Sequence, residues 1–119
     1  DEPRSAIAAV LDTPRGVISV ATAHLSFVPG SNIKQLRTLT KWLADLPRPL
    51  FLIGDFNLPG RIPAITTRWK PLAKAATYPS WKPLVQFDHI LTDGWRNPVR
   101  AIHVMPLPVS DHCALGVDL

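Results

Sequence analysis

Four short motifs of the 119-residue chain place ionisable or amide side chains directly beside apolar runs. In chain order they are ATAHLS at 21–26, GDFN at 54–57, FDHIL at 87–91 and SDHCAL at 110–115. They supply six candidates for one chemical site: His24, Asp55, Asn57, Asp88, Asp111 and His112. Carboxylates bind hard cations and orient water, and imidazoles move protons near neutrality. The inventory therefore indicates metal-assisted attack on a phosphate ester.

The GDFN motif joins a carboxylate and an amide at the end of an apolar run. In extended backbone Asp55 and Asn57 would point to one face and Phe56 to the other. The carboxylate could then orient or deprotonate a water, and the amide could contact a phosphate oxygen. The alternative is an Asx turn that merely ends the strand, and the motif alone leaves both open.

The two DH pairs suggest different roles for their members. Asp111 is a hard oxygen donor suited to Mg²⁺ or Mn²⁺, and His112 titrates near neutral pH. Asp88 lies in an apolar strand, where a carboxylate is costly unless it is paired. We predict a hydrogen bond from His112 to Asp88 that fixes the imidazole tautomer and raises its pKa. The alternatives are that Asp88 caps a turn or meets Arg96.

The remaining histidines carry less weight. His24 ends an apolar strand, and only the company of the other motifs makes it a candidate for the site. His89 is predicted to be structural and to point away from the neighbouring Asp88, because alternate residues of a strand face opposite sides. His103 is also predicted to be structural.

The hydrophobic pattern predicts an α+β fold in which one mixed sheet is flanked by a helix. Two strands forming a hairpin are expected at 5–11 and 17–25, followed by a helix from a Ser31 cap to about Leu46. Further strands are expected at 50–53, 85–91, 98–105 and 113–119. Five prolines make 58–86 mostly loop, with a short helix near 65–72. Because the motifs fall at strand ends, we expect the six candidates to meet at one edge of one sheet.

Composition narrows the class of protein. With 46% hydrophobic and 18% charged residues, the sequence predicts one folded domain over residues 1–119 rather than disorder. Cys113 is the only cysteine, which excludes an intrachain disulfide, and no apolar run reaches the roughly 20 residues of a membrane span. The net charge of +4 is scattered and is compatible with a polyanionic partner such as nucleic acid.

The ordered motifs, together with TYPSWKPLVQFDHIL at 77–91, resemble the endonuclease/exonuclease/phosphatase family, the deoxyribonuclease I-like superfamily. The resemblance implies a four-layer α/β sandwich of two mixed sheets with outer helices. It implies hydrolysis of a phosphate ester that depends on Mg²⁺ or Mn²⁺. The substrate could be nucleic acid, an inositol phosphate or a phospholipid, and the basic charge tilts weakly toward nucleic acid.

The same resemblance implies a role for each candidate. Asp55 would orient the attacking water, and Asn57 would bind the phosphate. Asp88 would orient His112, which would contact the scissile phosphate or transfer a proton. His24 would stabilise charge on the phosphoryl oxygens. Asp111 would lie near the metal.

The sequence departs from the family pattern upstream. The family's metal-binding glutamate and a first-strand asparagine precede the histidine motif, whereas Glu2 is the only glutamate here. We therefore expect the chain to correspond to the C-terminal half of the family fold and to be nearly inactive alone. Its bare sheet face is expected to be covered by a homodimer or by the N-terminal half. The alternative is a non-catalytic binding or interaction domain that retains the motifs.

Overall fold

The computed structural model describes residues 3–119, so Glu2, the only glutamate of the sequence, lies outside the described residues. Five strands form a mixed sheet in the order β1-β2-β3-β5-β4. Their bounds are β1 (Ala6–Thr13), β2 (Gly16–Ala23), β3 (Leu50–Asp55), β4 (Lys70–Pro71) and β5 (Asp88–Asp93). Among the strands of residues 3–119, β2 and β3 are the one parallel pair, and helix α1 (Ser31–Trp42) makes the crossover between them. The α+β class with a flanking helix is confirmed.

The last two strands do not join this sheet. β6 (Ala101–Pro106) and β7 (Cys113–Asp118) pair with each other as a separate antiparallel sheet. The prediction of a single sheet was therefore wrong. Leu115 and Val117 of β7 pack against the cluster formed by Phe51 and Ile90, so the hairpin covers a face of the first sheet instead of extending its edge.

Helix α1 packs its apolar stripe on the opposite face of the five-stranded sheet. Leu36, Leu39 and Leu43 are buried there, as the spacing predicts, and Leu50 and Leu52 of β3 lie in the same cluster. This cluster fixes the strand ends that carry the polar motifs.

The ends of α1 differ from the prediction. Gly30, at a positive φ of 84°, occupies the cap position, and no side chain caps the helix. The α-helix ends at Trp42 because the following turns tighten: the amide of Leu46 bonds to the carbonyl of Leu43, three residues back. Ser31 is thus the first helical residue and not the cap.

The proline-rich connection is more ordered than predicted. Helix α2 (Ile62–Thr67) lies a few residues before the expected position, with Pro63 in its first turn, where proline is favoured. Val85 forms an isolated bridge with Tyr78, so β5 begins at Asp88 and not at residue 85. Within residues 3–119 no helix has the length and apolarity to cross a membrane.

Candidate active site

A cleft of about 540 Å³ opens where β2, β3 and β5 meet the start of β7. Its lining contains all six candidates from the sequence together with three further residues: Arg4, His24, Phe27, Asp55, Asn57, Asp88, Ser110, Asp111 and His112. The expected location at the edge of one sheet needs correction, because Asp111 and His112 precede a strand of the second sheet. The cleft therefore lies at strand ends contributed by both sheets.

Asp88 and His112 are in direct hydrogen-bond contact in the cleft. Nδ1 of His112 lies 2.7 Å from Oδ2 of Asp88, so the predicted hydrogen bond is confirmed. The other side-chain partner of this carboxylate is Thr77 rather than Arg96. Because an ionised carboxylate only accepts hydrogen bonds, Nδ1 of His112 carries the proton. The second ring nitrogen, Nε2, faces Asp55. The distance from Nε2 to Oδ2 of Asp55 is 3.6 Å.

The electrostatics of the cleft favour a protonated His112. Burial by itself lowers the pKa of this imidazole. The hydrogen bond to Asp88 and the charges of Asp88, Asp55 and Asp111 outweigh burial, so the pKa of His112 is raised above its ordinary value.

Asp55 faces Asp88 directly across the β3–β5 pair. Burial raises the pKa of Asp55, and the like charge of Asp88 acts in the same direction. The backbone N–H of Asn57 and the imidazoles of His112 and His24 offset this only in part. Asp55 is therefore more basic than an exposed aspartate.

The GDFN turn combines features of both interpretations. Asn57 has a left-handed φ of 51°, so the extended backbone expected at this residue was wrong. Its N–H donates to Oδ1 of Asp55 at 2.9 Å, which is an Asx turn, yet both side chains line the cleft. Gly54 is required just before the turn, because a Cβ at its φ of 154° would clash with the carbonyl oxygen of Ala23.

The side chain of Asn57 is anchored to the segment that follows β2. Nδ2 donates to the carbonyl of Leu25 at 2.8 Å. An amide nitrogen carries two hydrogens, so one donor remains for a ligand.

His24 and Asp111 are held more loosely than the other candidates. The His24 side chain is 62% exposed, and its Nε2 lies 3.3 Å from Oδ2 of Asp55. The Asp111 side chain is at the exposed rim, where its backbone carbonyl accepts from the amide of Ser80 at 2.7 Å. Both side chains have room to adjust to a bound molecule.

The other two histidines lie outside the lining of this cleft. His89 is buried with a ring nitrogen 2.7 Å from the carbonyl of Leu58, and its ring stacks on Phe56. Burial lowers the pKa of His89. His103 lies on β6 and is paired with Asp118 at 2.8 Å. Both contacts are structural, as the sequence predicts.

Sequence reasoning missed several contributors to the cleft. Thr77 binds Asp88, and the Tyr78 ring lies 5.0 Å from that of His112. The hydroxyl of Ser110 accepts the backbone N–H of His112 at 3.0 Å. Thr77 and Tyr78 open the TYPSW motif, which offered a signal, whereas the motifs gave no indication that Phe27 would line the cleft.

Asp55, Asp88 and His112 could together hold a metal ion, since one ligand atom of each lies within 4.8 Å of the others. Two of these groups are already bonded to each other, which favours proton transfer over metal binding by that pair. Asp55 is the member of the group best suited to a hard cation. Mg²⁺ commonly takes only one or two carboxylates together with waters and substrate phosphate oxygens. Asp55 fits a magnesium site of this kind as a carboxylate ligand. Asp111 is not part of the Asp55, Asp88 and His112 group and remains a predicted additional ligand.

The sequence matches the model of the Endonuclease/Exonuclease/phosphatase family over residues 3–112. Comparison with curated proteins finds no match. Among solved structures, beta toxin from Staphylococcus aureus is similar at a TM-score of 0.74 and 13% identity, covering 96% of this chain and 56% of the toxin.

Two further structures have the same fold. D. rerio TDP2 complexed with a single-strand DNA product gives a TM-score of 0.71 at 16% identity, covering 94% of this chain and 60% of TDP2. The human Nocturnin catalytic domain with a bound sulfate anion gives 0.59 at 19% identity, covering 96% of this chain and 53% of Nocturnin. The chain therefore spans little more than half the length of these structures.

Proposed function

Because the chain belongs to the endonuclease/exonuclease/phosphatase family, we propose that its cleft is the phosphate-binding and proton-transfer part of a divalent-metal-dependent phosphodiesterase. The observation that carries the proposal is the line of three groups from Asp88 through His112 to Asp55. The contacts are 2.7 Å at Nδ1 and 3.6 Å at Nε2. This arrangement holds a proton on one side of the imidazole and turns the other side toward the cleft.

His112 would contact the phosphate through Nε2. Its raised pKa favours the imidazolium, which can donate a hydrogen bond to a non-bridging oxygen or a proton to the leaving group. Asp88 retains the proton on Nδ1, so the proton that is exchanged is the one on Nε2. His24, whose Nε2 lies 3.3 Å from Oδ2 of Asp55 and whose side chain is exposed, would add a second donor to the phosphoryl oxygens.

Asp55 would act on the attacking water. Its raised pKa makes it a stronger base than an exposed aspartate, and its Oδ2 lies 3.3 Å from Nε2 of His24 and 3.6 Å from Nε2 of His112. The remaining Nδ2 hydrogen of Asn57 would bind a phosphate oxygen. Because Asp55 holds the backbone of Asn57, the water and the phosphate would be positioned by one turn.

A divalent cation, Mg²⁺ or Mn²⁺, would neutralise charge on the phosphate oxygens when bound. Asp55 and Asp111 are the residues of this chain proposed to hold it. The described carboxylates at the cleft are few, so we propose that the 119-residue polypeptide is a weak catalyst by itself. We further propose that a second copy or an N-terminal half of the family fold completes it.

Nucleic acid is the proposed substrate class. The net charge of +4 favours a polyanion, and the Phe27 ring, 70% exposed in the cleft lining, offers a surface on which an unstacked base can lie. The fold is shared with TDP2, which has been crystallised with a single-strand DNA product. A short single-stranded oligonucleotide is therefore the preferred probe.

Binding and hydrolysis should be measured on the same purified chain. We expect Mn²⁺ to broaden the NMR signals of the residues around the cleft more than those of the distant hairpin end, and Asp55→Asn to reduce this effect. A single-stranded oligonucleotide should shift the His112 signals, and metal-dependent cleavage should be slow and absent in His112→Ala. His103→Ala is the matched control, because it removes a paired histidine outside the cleft.

Two results would count against the proposal. If neither Mn²⁺ nor the oligonucleotide affects the cleft signals, the phosphodiesterase assignment is wrong and the non-catalytic binding domain becomes the better interpretation. If the chain cleaves DNA rapidly with Mg²⁺, the assignment stands, but the proposed weakness of the isolated chain is refuted.

A further inference from the structure

Thr77 is a buried polar residue that none of the proposed catalytic steps uses. Its side chain is fully buried, and its hydroxyl donates to Oδ2 of Asp88 at 2.6 Å. The Thr77 hydroxyl oxygen in turn accepts the backbone N–H groups of Phe87 and Asp88, each at 3.3 Å. A hydroxyl has one donor and two acceptor positions, so all are occupied and the hydroxyl hydrogen has one orientation.

The backbone of Thr77 holds the other member of the pair. Its carbonyl accepts the amide of Cys113, the residue after His112, at 2.7 Å. Its own amide donates to the carbonyl of Val85 at 2.9 Å. One residue therefore fixes both the carboxylate of Asp88 and the start of the strand that presents His112.

We propose that Thr77 is the positioning residue of the Asp88–His112 pair. This inference rests on the proposed function for its catalytic consequence, although the positioning itself does not. The Thr77 hydroxyl sets the rotation of the Asp88 carboxylate so that Oδ2 meets Nδ1 of His112. The imidazole consequently presents Nε2 to the cleft. Without the hydroxyl, Oδ2 of Asp88 loses a fixed donor, and the backbone N–H groups of Phe87 and Asp88 lose an acceptor.

The test follows the Nδ1-bound proton of His112 by ¹H–¹⁵N NMR, with the signal assigned through His112→Gln. A hydrogen bond at this distance should give a downfield signal that exchanges slowly with water. Thr77→Val should increase the exchange rate about tenfold or more, the scale of losing one hydrogen bond to a charged group. Thr77→Ser restores the hydroxyl and should retain the slow exchange.

Thr92→Val is the matched control. Thr92 is equally buried in β5, and its hydroxyl bonds to the carbonyl of Leu50 at 2.9 Å, away from the pair. This variant loses a buried hydroxyl on the strand that carries Asp88, and the exchange rate of the His112 proton should stay unchanged. Should Thr77→Val fail to fold, Thr77→Cys keeps a side chain of similar size with a weaker donor and should show intermediate exchange.

Wild-type exchange of the His112 proton in folded Thr77→Val, or in Thr77→Cys where that variant is needed, would overturn the inference. So would equal effects of Thr77→Val and Thr92→Val. The readout is independent of hydrolysis. Suppose that Thr77→Val speeds the exchange of the His112 proton but the wild-type chain binds neither Mn²⁺ nor oligonucleotide. The proposed function would then be refuted, whereas the positioning role would stand.

Discussion

The two faces of the five-stranded sheet are covered in different ways. On the helix face Leu36, Leu52 and Phe56 have no exposed surface. On the hairpin face the sheet meets only two strands, and Ile102 and Val104 of β6 remain 46% and 40% exposed. The first face is completed by a helix that the chain must form to connect β2 with β3. The second depends on a hairpin distant in sequence, and the cleft lies where that hairpin meets the sheet.

The largest expected effect is on stability, when one apolar side chain is truncated on each face of the sheet. Phe56→Ala should lower the free energy of unfolding by about 3–5 kcal/mol, because a fully buried ring that stacks on His89 leaves a cavity. Val117→Ala, on the half-buried hairpin face, should cost only about 1 kcal/mol. Urea unfolding followed by circular dichroism measures both. Equal losses would mean that the hairpin is packed as tightly as the helix.

The second prediction concerns the incompletely covered face. We expect the chain to self-associate at micromolar concentration through this face, since large exposed apolar patches are uncommon on monomers. Replacing Ile102 and Val104 together by serine should weaken association about a hundredfold, which corresponds to roughly 100 Å² of apolar surface at 25 cal/mol per Å². Sedimentation measures the change.

The matched control for association is Ile65→Ser, since Ile65 is 69% exposed on α2, at the helix side. It should leave the sedimentation unchanged. A wild-type chain that sediments as a 13.1 kDa monomer at micromolar concentration would show that the hairpin is sufficient cover.

The same contrast explains what sequence could predict. The helix face was readable because Leu36, Leu39 and Leu43 recur at helical spacing within one local segment. The separation of β6 and β7 into a second sheet could not be predicted. The alternating sequence pattern of a strand is the same whether the strand extends a sheet or packs across it. The predicted helix end also failed, since the apolar stripe continues to Leu46 through tighter turns that periodicity does not distinguish.

The site was predictable to a similar degree. The motifs identified the six candidates because ionisable groups beside apolar runs are costly unless they are used or paired. The pairing of Asp88 with His112 followed from that cost. Thr77 was not identified, because a threonine in a proline-rich loop carries no such cost in sequence and acquires its role only through contacts made across the chain.

A smaller effect is expected at the end of β3, where Asp55 lines the cleft. The raised pKa of Asp55, caused mainly by burial, means that ionisation costs stability as pH rises above the unfolded value of about 3.9. Asp55→Asn should therefore stabilise the chain at pH 7, by the roughly 0.5–2 kcal/mol typical of relieved functional strain, while abolishing any metal-dependent cleavage. Thermal unfolding at pH 7 measures this. A loss of stability would show that the Asp55 charge is fully compensated by its neighbours.

The smallest effect tests the link between hairpin and sheet. Because the pKa of His112 is raised in the folded chain, its protonated form stabilises folding, in full below the unfolded pKa of about 6.5. This contribution is lost as pH rises through the folded pKa. The difference in unfolding free energy between the wild type and His112→Gln should accordingly be larger at pH 6 than at pH 9.

Asp88→Asn supplies the control for that pH dependence. It removes the charge and the ionic hydrogen bond that oppose the effect of burial on His112, while keeping a side chain of nearly the same size. Introducing His112→Gln into this background should give a difference that varies less between pH 6 and pH 9. If the difference keeps its full pH dependence, the carboxylate of Asp88 is not what favours protonated His112. If both backgrounds vary as expected, the ion pair of one carboxylate on β5 and one imidazole before β7 is a pH-dependent attachment of the second sheet to the first.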